Sequence, residues 1–313
     1  MKTKDNKKEL TMSKIKNKKR LIIIALLIIF IIAALGFVYW RTHPVWKEAE
    51  RTVEQSENKK TLRDIDPSGN TLETRITPPE GYKRVDAGEG SFANYMRSYP
   101  LLPDNSKLPV YDGSTIDNND VAAVFDITLG DDGYQQCADT VIRLYSDYFY
   151  QKGEYDKISF LFSNGDECDY ERWRDGKRMF VLAGFSLELP AAFSDDSEQQ
   201  YRNYLKEVMR YSGTLSLQKE SDVISPDELR VGDIICNDTH VVLIADEAVN
   251  EKGEKVYLIG QSFIPAVCFH IVTTENGGEE TPWFTAEQLS QQSFKVSRFT
   301  FEKSDIRRWK EGF

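Results

Sequence analysis

Twenty consecutive residues, Leu21 to Trp40, read LIIIALLIIFIIAALGFVYW without a charge or a proline. At about 1.5 Å of rise per residue, a helix of that length matches the roughly 30 Å hydrocarbon core of a bilayer. Ahead of it, residues 1–20 carry nine Lys or Arg against Asp5 and Glu9, a net +7. Lys14, Lys16, Lys18, Lys19 and Arg20 sit directly before the apolar run. The positive-inside tendency therefore keeps the N-terminus cytoplasmic and sends the remainder across, with Tyr39 and Trp40 at the outer interface. A cleavable signal peptide is the competing reading, but the run exceeds a usual h-region and no clear small-x-small site follows it. The expected layout is a basic cytoplasmic tail at 1–20, a transmembrane helix at 21–40, a stalk or extension at 41–75 and an extracytoplasmic domain at 76–313. This is a single-pass cell-membrane protein in expectation.

The whole chain carries −10, so removing the basic tail leaves −17 on residues 21–313. Such an acidic remainder disfavours nucleic acid as a partner. With 40% apolar and 12% aromatic residues, the chain has enough material for one substantial core. Residues 41–75 are rich in charge and contain the turn-like Asp66-Pro67-Ser68-Gly69-Asn70, which is why they read as a stalk. The folded domain is expected to begin near Thr77-Pro78-Pro79.

Within it, Val121–Leu129 is an apolar, β-favouring run closed by Gly130-Asp131-Asp132-Gly133. A helix follows, because Cys137, Val141, Leu144, Tyr145 and Tyr148 recur at helical spacing and gather on one stripe. Cys137 falls in its first turn, facing inward. Ile158–Ser163 reads as a strand and Glu198–Tyr211 as an amphipathic helix that buries Tyr201, Tyr204, Leu205 and Val208. The last third is β in character: Asp233–Cys236, His240–Asp246, Lys255–Gln261, Val267–Thr273 and Ser297–Phe301, with Asn250–Glu254 as a turn. The fold class is α+β, a Cys-bearing helix packed on an antiparallel sheet that carries a His.

Only three histidines exist: His43 beside the membrane, His240 and His270. The four cysteines, Cys137, Cys168, Cys236 and Cys268, form no CxxC pair, and neither HExxH nor an EF-hand loop occurs. No metal site and no cofactor are expected. A nucleophilic cysteine needs a lowered pKa, which the first turn of a helix supplies through free N–H groups and the macrodipole, and an imidazole completes the activation. Cys137 and His240 meet those conditions. Gln261, near the end of the next strand, is the first choice to orient the ring, with Asp246 second; His270, sharing a strand face with Cys268 and Val272, is a supporting candidate.

The stretch Leu229-Arg230-Val231-Gly232-Asp233-Ile234-Ile235-Cys236, followed by His240-Val241-Val242-Leu243-Ile244-Ala245-Asp246, resembles the core block of NlpC/P60-type cysteine peptidases, of the papain-like superfamily. The resemblance implies Cys137 as nucleophile at a helix start, His240 as base at a strand start and Gln261 as the polar residue on the following strand. This chain has Gln135-Gln136-Cys137-Ala138-Asp139 where that family usually has Asp-Cys-Ser/Ala-Gly, and its Cys-to-His separation of 103 residues is longer. The longer separation implies an insertion at about 155–195, whose Asp166, Asp169, Trp173 and Arg174 are candidate substrate contacts. Over residues 76–275 the chain also resembles the bacterial family called domain of unknown function 4846, on Pro78-Pro79-Glu80-Gly81-Tyr82, Ser91-Phe92-Ala93-Asn94-Tyr95, Gln136-Cys137-Ala138-Asp139 with Arg143-Leu144, and Pro265-Ala266-Val267 before Phe269-His270. That family name carries no activity.

The leading expectation is a cysteine amidohydrolase or peptidase acting on a cell-wall peptide or related amide, with the Cys137 backbone N–H and the Gln136 side chain as oxyanion donors. The second is a non-catalytic surface domain of the same fold, binding a glycan, peptide or envelope protein, in which the cysteine and histidines only pack. The third is a disulfide-stabilised scaffold.

Overall fold

The computed structural model describes residues 2–42, 45–57, 61–182 and 184–310; His43 lies outside the described residues. The chain divides into two compact units, Met1–Val45 and Trp46–Phe313. The first contains one helix, α1 (Lys2–Thr42). Its segment Lys18–Gly36 is long and apolar enough to cross a membrane, and none of it is buried.

The second unit takes in most of the stretch expected to be a stalk. Trp46 is buried and its backbone N–H donates to Asn203 Oδ1 at 2.9 Å. Helix α2 (Leu72–Arg75) is capped by Thr71, buries Leu72 completely, and lets Arg75 Nε donate to the Gly69 carbonyl at 2.8 Å. Asn203 lies 157 residues from Trp46, so local periodicity carried no trace of that contact. The remaining helices are α3 (Phe92–Arg97), α4 (Cys137–Lys152), α5 (Tyr170–Arg174), α6 (Glu198–Tyr211), α7 (Thr214–Lys219) and α8 (Ala286–Leu289). Helix α4 stops at Gly153, whose left-handed φ of 71° is the conformation a glycine adopts without steric cost. Helix α6 starts at Ser197, whose side chain accepts the Gln200 N–H, and it buries Tyr201, Tyr204, Leu205 and Val208, as their spacing predicts.

One antiparallel sheet forms the centre. Its strands are β1 (Tyr82–Arg84), β2 (Val121–Val124), β3 (Ser221–Val223), β4 (Ile234–Cys236), β5 (Val241–Asn250), β6 (Lys255–Gln261), β7 (His270–Val272), β8 (Trp283–Thr285) and β9 (Ile306–Trp309). They run in the order β2-β7-β6-β5-β4-β9-β3, with β1 on the far half of β5 and β8 on the near half of β6. The turn between β5 and β6 is held by Asn250 Oδ1, which accepts from the backbone of Lys252 and Glu254, both at 3.0 Å. The long β5–β6 hairpin thus has different neighbours at its two ends: β4 and β7 at one, β1 and β8 at the other.

Side-chain alternation along β5 divides the core. Val241, Leu243 and Ala245 join a large cluster with Val141, Leu144 and Tyr145 of α4, whereas Val242 and Ile244 join a smaller one with Tyr257, Phe294 and Phe301. A bulge between Ile244 and Asp246 resets the alternation. Residues 155–195 form two small hairpins around α5: Ser159–Leu161 with Glu167–Asp169, and Lys177–Leu182 with Phe185–Pro190. Leu182, Phe185 and Leu187 of the second are exposed. All four cysteines are free thiols.

Candidate functional site

Three adjacent strands bring their polar residues to one end of the sheet. His240 directly precedes β5, Gln261 closes β6 and His270 opens β7, where Gln261 and His270 are register partners. Asn237 Oδ1 accepts the backbone N–H groups of Thr239 and His240, each at 2.9 Å, and so fixes the approach to β5. His240 Nε2 lies 2.9 Å from Gln261 Oε1. A carboxamide oxygen only accepts, so the hydrogen is on Nε2 and Nδ1 of His240 keeps its lone pair. Gln261 Nε2 lies 3.4 Å from His270 Nε2, and His270 Nδ1 lies 3.1 Å from the Cys268 carbonyl.

His240 is 2% exposed and His270 is fully buried. Burial pushes both imidazoles down to about 4, despite a raising contribution from Gln261 on the first and from the Cys268 carbonyl on the second. Both are neutral at pH 7.

Cys137 opens α4 and is half-buried. The backbone N–H of Val241, the residue after His240, is among the groups that lower its thiol, which sets the thiol near the start of β5. The first turn of α4 does not lower this thiol in the folded chain. Burial pushes it up and Asp139 adds to that, together outweighing the backbone N–H groups of Ala138, Val241 and Cys137. Sequence spacing put the cysteine at the helix start but could not register how much apolar surface closes over it.

The other candidates have separate engagements. Gln136 Nε2 donates to the Gly133 carbonyl at 3.2 Å, which occupies one of its two amide hydrogens. Asp246 is not brought to His240: it is fully buried beyond the bulge, where Arg84 Nε reaches it at 2.6 Å and Arg97 Nε at 2.8 Å. Asp166 accepts from Asn164 at 2.8 Å and from the Ser186 backbone at 3.1 Å, and Asp169 caps α5 by accepting from Arg172 N at 2.7 Å. Trp173 is buried beneath the Arg178 guanidinium, 3.9 Å from its ring centroid, and Arg174 lies over Tyr155. These four hold the insertion together. Cys268 and Val272, expected to share a face with His270, belong to different clusters, because β7 begins only at His270.

The walls of the imidazole chain were not legible as site residues. Phe299 stacks flat on His240, Phe263 meets His270 edge-on at 5.5 Å, and Arg298 lies over both phenyl rings. Phe299 and Arg298 fall in a segment whose only sequence signal was β propensity. Phe263 and Arg298 also line a cavity of about 410 Å³ that carries Asp120, Glu275 and Glu280. Among the described residues no cluster of three His, Cys, Asp or Glu could hold a metal ion.

Fold and site together define an α+β domain on an antiparallel sheet, with a thiol and a hydrogen-bonded imidazole chain at one end of it. The chain belongs to the family described as Domain of unknown function (4846), whose model matches residues 72–308. No curated protein and no solved structure matches it.

Proposed function

We propose that this chain is a membrane-anchored, extracytoplasmic cysteine amidohydrolase or peptidase of papain-like, NlpC/P60-like fold, acting on a cell-wall peptide or a related amide. The observation that carries the proposal is the 2.9 Å contact between His240 Nε2 and Gln261 Oε1, which leaves a lone pair on Nδ1, while the backbone N–H of the next residue, Val241, bears on the Cys137 thiol. The membrane placement is supported by the apolar stretch Lys18–Gly36 and the basic residues before it.

Thiol and imidazole are both neutral at rest, so His240 works as a general base during attack. The Sγ–H proton passes to Nδ1 while sulfur bonds to the amide carbon and the carbonyl electron pair moves to oxygen. The backbone N–H of Cys137 and the second amide hydrogen of Gln136 are the nearby donors for that oxyanion. The imidazolium then returns the proton to the amide nitrogen as the C–N bond breaks. Water then gives a proton to Nδ1 as its oxygen bonds to the thioester carbon, and when the C–S bond breaks the imidazolium returns that proton to sulfur.

The test is hydrolysis of purified cell wall and of small amides by the full chain in detergent. Cys137→Ala abolishes turnover and His240→Ala lowers it by about 10²–10⁴-fold. Turnover at the wild-type rate in Cys137→Ala overturns the proposal. A second reading, a non-catalytic domain of the same fold that binds an envelope glycan, peptide or protein, is favoured by the raised thiol and the deep burial of both histidines. It predicts no turnover by the wild-type chain and retention on purified envelope material that survives Cys137→Ala.

A further inference from the structure

We propose that His270 is a positioning residue that sets the tautomer of His240 through the carboxamide of Gln261. The inference deepens the catalytic reading and rests on it for its purpose, though not for its geometry. Hydrogen positions and amide orientations have to be deduced from the network as a whole, and here one end of the network is unambiguous. The Cys268 carbonyl can only accept, so His270 Nδ1, at 3.1 Å from it, must carry the hydrogen.

A neutral imidazole with its hydrogen on Nδ1 presents a lone pair at Nε2. That lone pair faces Gln261 at 3.4 Å, and it is met favourably only by the NH2 side of the carboxamide. The oxygen of the same amide is thereby turned toward His240 Nε2, at 2.9 Å, and draws the second hydrogen there. Turning the amide over would set its oxygen against the His270 lone pair and its NH2 against His240, forcing the His240 hydrogen onto Nδ1 and removing the base. The chain Cys268, His270, Gln261, His240 therefore has one consistent direction. Cys268 and His270 are fully buried, Gln261 is 1% exposed and His240 2%, so solvent offers none of them a substitute partner. Gln261 alone cannot choose between its two orientations; His270 makes the choice.

The experiment uses the full chain in detergent micelles, labelled with ¹⁵N only at histidine, and reads the tautomers from long-range ¹H–¹⁵N correlations. The wild type is expected to show His240 protonated on Nε2 and His270 on Nδ1, which are opposite tautomers. In His270→Phe the His240 nitrogens move to the averaged shifts of a mixed tautomer, and in Gln261→Leu they do the same. Adding His270→Phe to Gln261→Leu produces no further change, because the connecting amide is already gone. A wild-type His240 carrying its hydrogen on Nδ1 overturns the proposal, as do unchanged His240 shifts in a folded His270→Phe chain. If His270→Phe does not fold, the wild-type spectrum and Gln261→Leu decide the matter by the same criteria. Loss of the catalytic reading is separate: Cys137→Ala can leave hydrolysis intact while the opposite tautomers persist, which sinks the enzyme and keeps the relay.

Discussion

The imidazole of His240 lies flat on the ring of Phe299, with centroids 3.5 Å apart and planes 11° from parallel. This lid is part of the burial that holds His240 down to about 4, and His270 is held at about the same value by its own burial. Both groups regain an ordinary value near 6.5 on unfolding, so the unfolded chain binds more protons between about pH 6.5 and 4. Stability therefore falls as pH drops through that window, by about 1.4 kcal/mol per pH unit for each histidine. Urea unfolding at several pH values should show a shallower dependence in His240→Gln than in the wild type. Equal slopes would mean that His240 is already charged in the folded chain.

Cys137 makes a second measurement informative. Burial raises the thiol first and Asp139 next, so alkylation by iodoacetamide should be slow at pH 7 and climb into the alkaline range. Burial pushes the Asp139 carboxyl itself well up, so its charge bears on the thiol only once the carboxyl has ionised; Asp139→Asn keeps an acceptor for the Gln136 N–H, now at 3.0 Å, while removing that charge. Its alkylation profile should shift to lower pH. Read with Cys168, Cys236 and Cys268 changed to Ser, an unshifted profile would show that Asp139 does not act on this thiol.

Asp246 sits between two guanidinium groups with no exposure of its own. Asp246→Ala leaves Arg84 and Arg97 buried or nearly so without their shared partner, and should cost about 3–5 kcal/mol in the urea midpoint analysis. Removing the exposed Arg63–Glu279 pair should cost under about 1 kcal/mol. A small loss for Asp246→Ala would mean that water replaces the carboxylate.

Gly260 is required by its neighbour across the strand. A Cβ there would stand 2.2 Å from the Phe269 ring. Gly260→Ala should destabilise by about 1–3 kcal/mol through overpacking, and Phe269→Leu in the same chain should recover part of that loss. Because Gln261 is the next residue, the single substitution should also disturb the His240 nitrogen signals. A recovery of neither stability nor signals in the double variant would place the strain elsewhere.

Local chemistry made some of this legible. Helix α6 and strand β6 have the boundaries that periodicity indicates, and Cys137, His240 and Gln261 stand at the element ends where their spacing put them. Contacts between distant segments were invisible. Val121–Leu129 is strand only to Val124, after which Phe125 donates to the Phe269 carbonyl and bridges to Leu101 from a distant segment. Trp46 and Leu72 look like stalk residues until α6 and Tyr99 supply their backbone partners. The same is true of the raised thiol, since a helix-start position reports the amides around sulfur and not the apolar surface over it.

Strand β9 enters the sheet between β4 and β3, pairing Arg307 with both Ile234 and Val223, and Trp309 stacks on Tyr145 and Phe160. A ribosome delivers the chain N-terminus first, so a seam stays open between those two strands until Ile306–Trp309 is free. Thiol, imidazoles and carboxamide are all synthesised while the sheet beside them still lacks an inner strand. A message cut short just after Phe301 would yield every residue of the site and no closed sheet to hold it.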